Sequence, residues 1–95
     1  MNTIEIVKEM LKNKTLETYT PTGDIEYKGK VYQFDKLSTY DALNDAIYCH
    51  NLIEDVRDRY NNLIAVIVPT TSASVDIHFV NGGFRRRIID KDEIY

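Results

Sequence analysis

The sequence predicts a small α+β domain built as a two-layer sandwich, in which a long helix packs on one face of a mainly antiparallel sheet. Three observations lead to this fold class. The predicted order of elements is α-β-β-β-α-β-β-β, strands outnumber helices, and consecutive strands are joined by short turns rather than by long crossovers.

The composition is that of one folded domain covering residues 1–95. Hydrophobic residues make up 43% of the chain and charged residues 28%, which is too apolar for a disordered segment. The longest apolar run, Leu63–Val68, is far shorter than a membrane span. Glu5 and Glu9 interrupt the N-terminal apolar pattern, which argues against a secretory signal. A single cysteine excludes an internal disulfide. We therefore expect a cytoplasmic protein. Ile, Tyr, Asn and Lys together make up 32 of the 95 residues, a bias typical of AT-rich coding sequences of bacteria and their phages, so the expected cell is bacterial.

The chain begins with a short amphipathic helix followed by extended segments. Asn2 can cap a helix over residues 3–13, with Glu5 completing a capping box. Apolar residues between Ile4 and Leu11 recur at helical spacing. Leu16–Thr20 then alternates in the manner of a strand.

A β-hairpin is predicted next. Ile25–Tyr27 and Val31–Phe34 form its strands, and Lys28-Gly29 forms the turn between them. Gly29 can adopt the left-handed conformation that a tight hairpin turn requires.

Residues 38–60 are predicted to form the long helix. Ser38 caps it, and Asp41 stands three residues further on. Six residues recur at spacings of three and four and form a stripe that is buried against the sheet: Ala42, Ala46, Cys49, Ile53, Val56 and Tyr60. Asn61-Asn62 ends the helix.

The C-terminal third is predicted to contain three strands. Leu63–Val68 is a central strand that ends at Pro69, and the next strand, Val75–Val80, places Asp76 and His78 on a solvent-facing side.

The register of the last hairpin follows from its turn. If Asn81-Gly82 is the turn, Phe79 pairs with Phe84, His78 with Arg85 and Asp76 with Arg87. A slip of one residue would place arginines on the apolar side, so this register is preferred. It leaves Arg86 on the inner side, which is tolerable if Phe84–Ile89 is an edge strand. Residues 90–95 are expected to form a loose tail.

The first candidate site is a protein-binding surface on the outer side of the predicted long helix. Tyr48 and Leu52 form its apolar centre and Asp41, Asp45 and Asp55 its acidic rim, all within an arc of about 80°. An apolar centre with a polar rim is the anatomy of a protein interface. The alternative is that the N-terminal helix packs there and covers the pair.

The second candidate site is a basic strand face containing His78, Arg85 and Arg87. Arginines of this kind can bind phosphate or the carboxylates of a partner. The alternative is structural: the charges protect an edge strand from aggregation, and Asp76 pairs with Arg87 across the strands.

No pattern in the sequence indicates catalysis, a metal or a cofactor. Cys49 and His50 are neighbours, but adjacent residues of a helix point about 100° apart, so they do not form a thiol–imidazole pair. Cys49 is instead expected to be an unreactive core residue. His50 and His78 lack the spacing of zinc ligands, and no glycine-rich phosphate loop is present.

These features favour a non-catalytic protein-binding factor. The net charge of −3 does not provide the basic field that nucleic-acid binding needs. The size and the lack of motifs are typical of small phage or mobile-element inhibitors, including anti-CRISPR and other anti-defence proteins, which block a partner sterically. The alternative function is a metal-independent ribonuclease or phosphate-binding domain that uses His78, Arg85 and Arg87. A homo-oligomer formed by pairing of the last strand is compatible with either function.

Overall fold

The structure, a computed structural model, describes residues 2–48, 53–71 and 73–94, with the backbone alone for residues 45–48 and 93–94. Within that part of the chain, three helices and six strands occur in the order α1 (Thr3–Lys12), β1 (Gly23–Tyr27), β2 (Lys30–Lys36), α2 (Thr39–Tyr48), β3 (Glu54–Arg57), β4 (Leu63–Thr71), β5 (Ser74–Phe79), β6 (Arg85–Asp90) and α3 (Lys91–Ile94). None of these described helices has the length and apolar character needed to cross a membrane.

The six strands form one sheet in the order β1-β2-β6-β5-β4-β3, and every neighbouring pair is antiparallel. This α+β fold with an antiparallel sheet confirms the coarse fold class, although the order of elements differs from the predicted one. The expectation that Phe84–Ile89 is an edge strand is wrong, because β6 lies inside the sheet between β2 and β5. Both backbone edges of β6 are therefore occupied, which also removes the homo-oligomer formed by pairing of this strand.

Helix α1 covers one face of the sheet, which we call the inner face. The capping prediction is confirmed: the Asn2 Oδ1 atom accepts a hydrogen bond from the Glu5 N–H at 2.9 Å. The apolar side of α1 packs over β3, β4 and β5. The core between helix and sheet includes Val7, Met10 and Leu11 from α1 and Tyr32, Phe34, Val56, Ala65, Ile67, Val75, Ile77 and Ile88 from the sheet. The helix layer of the fold is thus α1 rather than the predicted long helix.

The hairpin of β1 and β2 is confirmed. Tyr27 pairs with Lys30, and both turn residues between them have positive φ, 51° at Lys28 and 80° at Gly29. Two consecutive positive φ values give the turn a twist that matches the twist of the two strands.

The strand predicted at Leu16–Thr20 is wrong, since this segment forms turns. The Glu17 N–H donates to the Thr20 Oγ1 atom at 2.8 Å, and the Thr20 N–H donates to the Glu17 carbonyl at 3.1 Å. Threonine satisfies the backbone locally here and competes with the ladder of a sheet. Leu16 is buried in the core and anchors the segment.

The predicted long helix over residues 38–60 is also wrong. Its N-terminal part is confirmed, because Ser38 caps α2: its Oγ atom accepts a hydrogen bond from the Asp41 N–H at 3.0 Å. Helix α2 ends at Tyr48, however, and residues 54–57 form strand β3. Cys49 and His50 lie outside the described residues, so their predicted roles stay predictions.

Three residues of the predicted buried helical stripe lie elsewhere: Val56 is on β3, Ile53 precedes it, and Tyr60, which is 70% exposed, lies in the turn after it. Val56 is buried, but it lies on a strand opposite Ala65 of β4. Ile53 is 40% exposed and does not belong to the core. The alternation of Glu54–Arg57 fits the edge of a sheet as well as four residues of a helix, and pairing with the apolar strand β4 decides between them.

Asn61 and Asn62 belong to the turn between β3 and β4 instead of ending a helix. The Asp58 Oδ1 atom accepts hydrogen bonds from the N–H groups of Tyr60 and Asn62 at 2.8 and 2.9 Å. Asn61 has a φ of 68°, a conformation that asparagine tolerates better than most residues.

The register of the last hairpin is confirmed. Asp76 pairs with Arg87 and His78 with Arg85, and the Phe79 N–H donates to the Phe84 carbonyl at 2.9 Å. Arg86 consequently lies on the inner face.

The loose tail predicted for residues 90–95 is not observed in its described part. Asp90 ends β6 as a buried residue whose carboxylate accepts a hydrogen bond from the Lys30 Nζ atom at 2.9 Å. Helix α3 follows it directly.

Candidate functional site

The five residues of the predicted protein-binding surface do not lie on one helix. Asp41 is in the first turn of α2, whereas Asp55 is on strand β3. The common arc of about 80° is therefore wrong for Asp55. The side chains of Asp45 and Tyr48, and all of Leu52, lie outside what the structure describes. An apolar centre at Tyr48 and Leu52 stays a prediction.

Arg87 lies on the outer face of the sheet, opposite α1, and is held by carboxylates. Its Nε atom donates to Asp76 Oδ1 at 2.6 Å and its Nη2 atom to Asp76 Oδ2 at 3.0 Å. Its Nη1 atom donates to Asp41 Oδ2 at 3.3 Å, and the same Asp41 oxygen accepts a hydrogen bond from the Ser38 hydroxyl at 2.9 Å. The pairing of Asp76 with Arg87 is confirmed. This network ties β5 and β6 to the start of α2.

The position of Asp76 differs from the one predicted from the sequence. It was expected on a solvent-facing side, but its side chain is fully buried. A buried carboxylate requires a partner, and the fork of the arginine satisfies both of its oxygens. Arg87 therefore has a structural role and its charge is neutralised.

His78 and Arg85 are cross-strand neighbours on the same outer face. Burial lowers the pKa of the His78 imidazole below its ordinary value of 6.5, and the charge of Arg85 lowers it further, while Asp76 opposes the shift. The imidazole is accordingly uncharged at neutral pH. Of the three residues proposed for phosphate binding, two thus lack a usable positive charge.

A separate site, missed in the sequence, lies at the end of the inner face. A cavity of about 270 Å³ opens there between segments 11–19, 63–64 and 79–81. Leu11, Leu16 and Phe79 contribute buried apolar surface to it. Its volume suits a side chain of a partner better than a drug-sized ligand, which needs about 300–1,000 Å³.

Beside the cavity lies an exposed cluster that we call the aromatic patch, consisting of Tyr19, Val80 and Phe84. The side chains of these residues are 74%, 53% and 36% exposed. The rings of Tyr19 and Phe84 meet edge to face, with centroids 5.5 Å apart and an interplanar angle of 69°. This is a favourable geometry for two aromatic rings.

Two features of the neighbouring loops support the aromatic patch. The Thr18 hydroxyl donates to the Asn81 carbonyl at 3.1 Å and joins the loop that carries Tyr19 to the last hairpin. Gly82 has a φ of 82°, and a Cβ atom there would lie 3.0 Å from the ring of Phe84. A glycine at this position therefore lets the Phe84 ring lie against the turn.

The described residues offer no obvious metal centre: across residues 2–48, 53–71 and 73–94, no three His, Cys, Asp or Glu side chains converge on one point. No protein-family model matches the chain, and neither a curated protein nor a solved structure matches it at a significant level.

Proposed function

We propose that this chain is a non-catalytic protein-binding domain whose contact surface is the aromatic patch together with the adjacent cavity. The observation that carries the proposal is an exposed aromatic pair in edge-to-face contact, beside a cavity lined by both apolar and polar residues. Aromatic side chains are enriched in protein interfaces and supply a large share of the binding free energy.

The way the patch is built supports this role. The edge-to-face contact of the two rings and the hydrogen bond of Thr18 restrict the rings before any partner arrives. Side chains that are already ordered lose less conformational entropy on binding. Apolar surface exposed to water is unfavourable, and a contiguous exposed patch of it is typical of an interaction site.

In this proposal the domain acts as an inhibitor in the bacterial cytoplasm, where it covers a surface of its partner protein. An anti-defence role of the phage or mobile-element type is the particular case suggested by size and lack of motifs. The Tyr48–Leu52 surface is proposed as a second contact of the same kind.

The alternative, a ribonuclease or phosphate-binding domain, receives less support. It needs positive charge at His78, Arg85 and Arg87. Two carboxylates neutralise Arg87, and the lowered pKa of His78 leaves its imidazole neutral at pH 7.

The proposal is tested by cross-linking followed by mutation. A photoreactive phenylalanine analogue at position 19 should cross-link one partner protein in the host cell, whereas the same analogue at position 60 should not. Tyr60 is a matched control because it is 70% exposed, on the turn between β3 and β4. With the purified partner, Tyr19→Ala should weaken binding roughly tenfold, as expected of a central anchor.

Tyr60→Ala should leave both binding and the melting temperature unchanged, and Tyr19→Ala should leave the melting temperature nearly unchanged. Equal affinity of the two variants for the partner would contradict the proposal. A loss of binding with Tyr48→Ala and none with Tyr19→Ala would move the interface to α2.

A further inference from the structure

Two basic residues lie side by side next to the aromatic patch. Lys36 of β2 and Arg86 of β6 are register partners, so their side chains share the inner face of the sheet. On its other side Arg86 is paired with Ile77, which is apolar. Like charges directly opposite each other in a sheet repel and destabilise it.

Neither of these two residues has an acidic partner among the residues that the structure describes. The ion pairs found in that part of the chain are all formed by other lysines and arginines. Within the described part of the chain, these two adjacent positive charges thus have no acidic partner, in a chain whose net charge is −3.

The guanidinium of Arg86 is oriented by its neighbours. Its Cζ atom lies 5.1 Å from the centre of the Phe84 ring, and its Nη1 atom donates to the Arg85 carbonyl at 2.9 Å. Its Nε atom is buried and has no hydrogen-bond acceptor among the residues that the structure describes. A buried donor without an acceptor costs free energy, and an anion that binds the terminal nitrogens would compensate the positive charge of the guanidinium.

The basic pair and the cavity are joined by the aromatic rings. Arg86 stacks on Phe84, Phe84 contacts Tyr19, and Tyr19 lines the cavity. The contacts of 5.1 Å between Arg86 and Phe84 and of 5.5 Å between Phe84 and Tyr19 place the Arg86 guanidinium at most about 11 Å from the Tyr19 ring, which is the length of about three residues of extended chain.

We propose that Lys36 and Arg86 form the anion-binding end of the aromatic patch. The partner then presents an extended protein segment in which an Asp or Glu carboxylate follows or precedes an apolar anchor by two to four residues. The anchor enters the cavity and the carboxylate meets the basic pair. Arginine binds a carboxylate through two parallel hydrogen bonds, which fixes the direction of the segment. This inference rests on the proposed protein-binding function.

The experiment is a selection from a displayed library of random peptides, carried out on four proteins. They are the wild type, the double variant Lys36→Gln/Arg86→Gln, the reversal Lys36→Glu and the control Arg59→Gln. Arg59 is a matched control because its guanidinium also lies over a ring, 4.9 Å from the centre of Tyr60, and it belongs neither to the basic pair nor to the aromatic patch.

Peptides selected on the wild type and on Arg59→Gln should carry an acidic residue two to four positions from an apolar one. Those selected on the double variant should keep the apolar residue and lose the acidic one. A selected peptide should bind the wild type at least tenfold more tightly than its Glu→Gln or Asp→Asn analogue, and that ratio should fall below twofold on the double variant. Lys36 is exposed, so Lys36→Glu tests the site even if a change of Arg86 impairs folding; it should remove the acidic preference.

The outcomes separate the two proposals. Each selected peptide is also measured against Tyr19→Ala. Peptides that bind Tyr19→Ala more weakly than the wild type but carry no acidic residue would overturn the anion site and leave the protein-binding function standing. If no selected peptide loses affinity for Tyr19→Ala, both proposals are overturned. Inorganic phosphate and an eight-residue thymidine oligonucleotide are the further probes: if either one competes with the acidic peptides and binds more tightly than they do, the assignment to a carboxylate is wrong.

Discussion

Arg86 and Arg87 are consecutive residues of one strand, yet they differ in almost every physical respect. Arg87 points to the outer face and is held by Asp76 and Asp41. Arg86 points to the inner face, stacks on Phe84 and has a buried Nε atom without an acceptor among the described residues. Arg87 connects the sheet to α2, whereas Arg86 carries a charge that has no acidic partner in the described part of the fold.

The difference arises from the cross-strand neighbours. Arg87 lies opposite Asp76, whereas Arg86 lies opposite Ile77 on one side and Lys36 on the other. Because side chains alternate across a sheet, three successive arginines cannot act as one basic site. A run of like residues in a strand should thus be interpreted one face at a time.

The strongest test of this comparison is removal of the buried carboxylate. Asp76→Ala leaves the mostly buried Arg87 without its bidentate partner, so the free energy of unfolding should fall by about 3 kcal/mol. Urea unfolding at pH 7 measures the change.

The control for Asp76→Ala is Asp55→Ala on β3. The side chain of Asp55 is 55% exposed and lies 3.8 Å from Arg57, and exposed ion pairs of this kind contribute at most about 1 kcal/mol. A similar small effect at Asp76 would mean that Arg87 is no more structural than Arg86.

The segment that was predicted to be helical provides a second test of whether the direction in which a side chain points determines its contribution to stability. Val56 points into the core from β3, whereas Ile53 precedes the strand and is 40% exposed. Val56→Ala should lower the free energy of unfolding by about 2 kcal/mol, and Ile53→Ala by less than about 0.5 kcal/mol. Denaturant unfolding of the two variants would support the helix instead if Ile53→Ala were the more costly.

Local elements of this fold could be predicted from the sequence because their signals are local. The cap at Asn2, the turn at Lys28-Gly29 and the register that pairs Asp76 with Arg87 each depend on a few neighbouring residues. The segment after Tyr48 could not, because apolar residues at spacings of three and four fit a helix, while strand β3 is stabilised by pairing with β4.

The aromatic patch was beyond sequence reasoning for a related reason. Tyr19 and Phe84 are far apart in the chain and meet only because a loop crosses the end of the sheet. The register arithmetic placed Arg86 on the inner face, but no local signal shows that Lys36 is its neighbour. That contact depends on the pairing of β2 with β6, two strands from different hairpins.

The smallest effect is expected at the next cross-strand pair of the outer face, where His78 lies beside Arg85 rather than beside a carboxylate. Burial, and then the charge of Arg85, lower the pKa of His78 in the folded protein below 6.5, and Asp76 only partly opposes this. The unfolded chain consequently binds a proton more readily than the folded one at and below about pH 6.5. The stabilising contribution of the neutral imidazole is complete above that pH and decreases as the pH is lowered towards the folded-state pKa.

Urea unfolding of wild type and His78→Gln at pH 7.5 and 5.5 should show a smaller loss of stability for the variant on acidification. His50 is present in both proteins, so its titration cancels in the comparison. Arg85→Gln should reduce the loss in part, since burial still disfavours the imidazolium. An equal loss in wild type and His78→Gln would show that the outer face accommodates a second positive charge beside Arg85. It would contradict the view that a positive charge on this face needs a carboxylate partner, as Arg87 does.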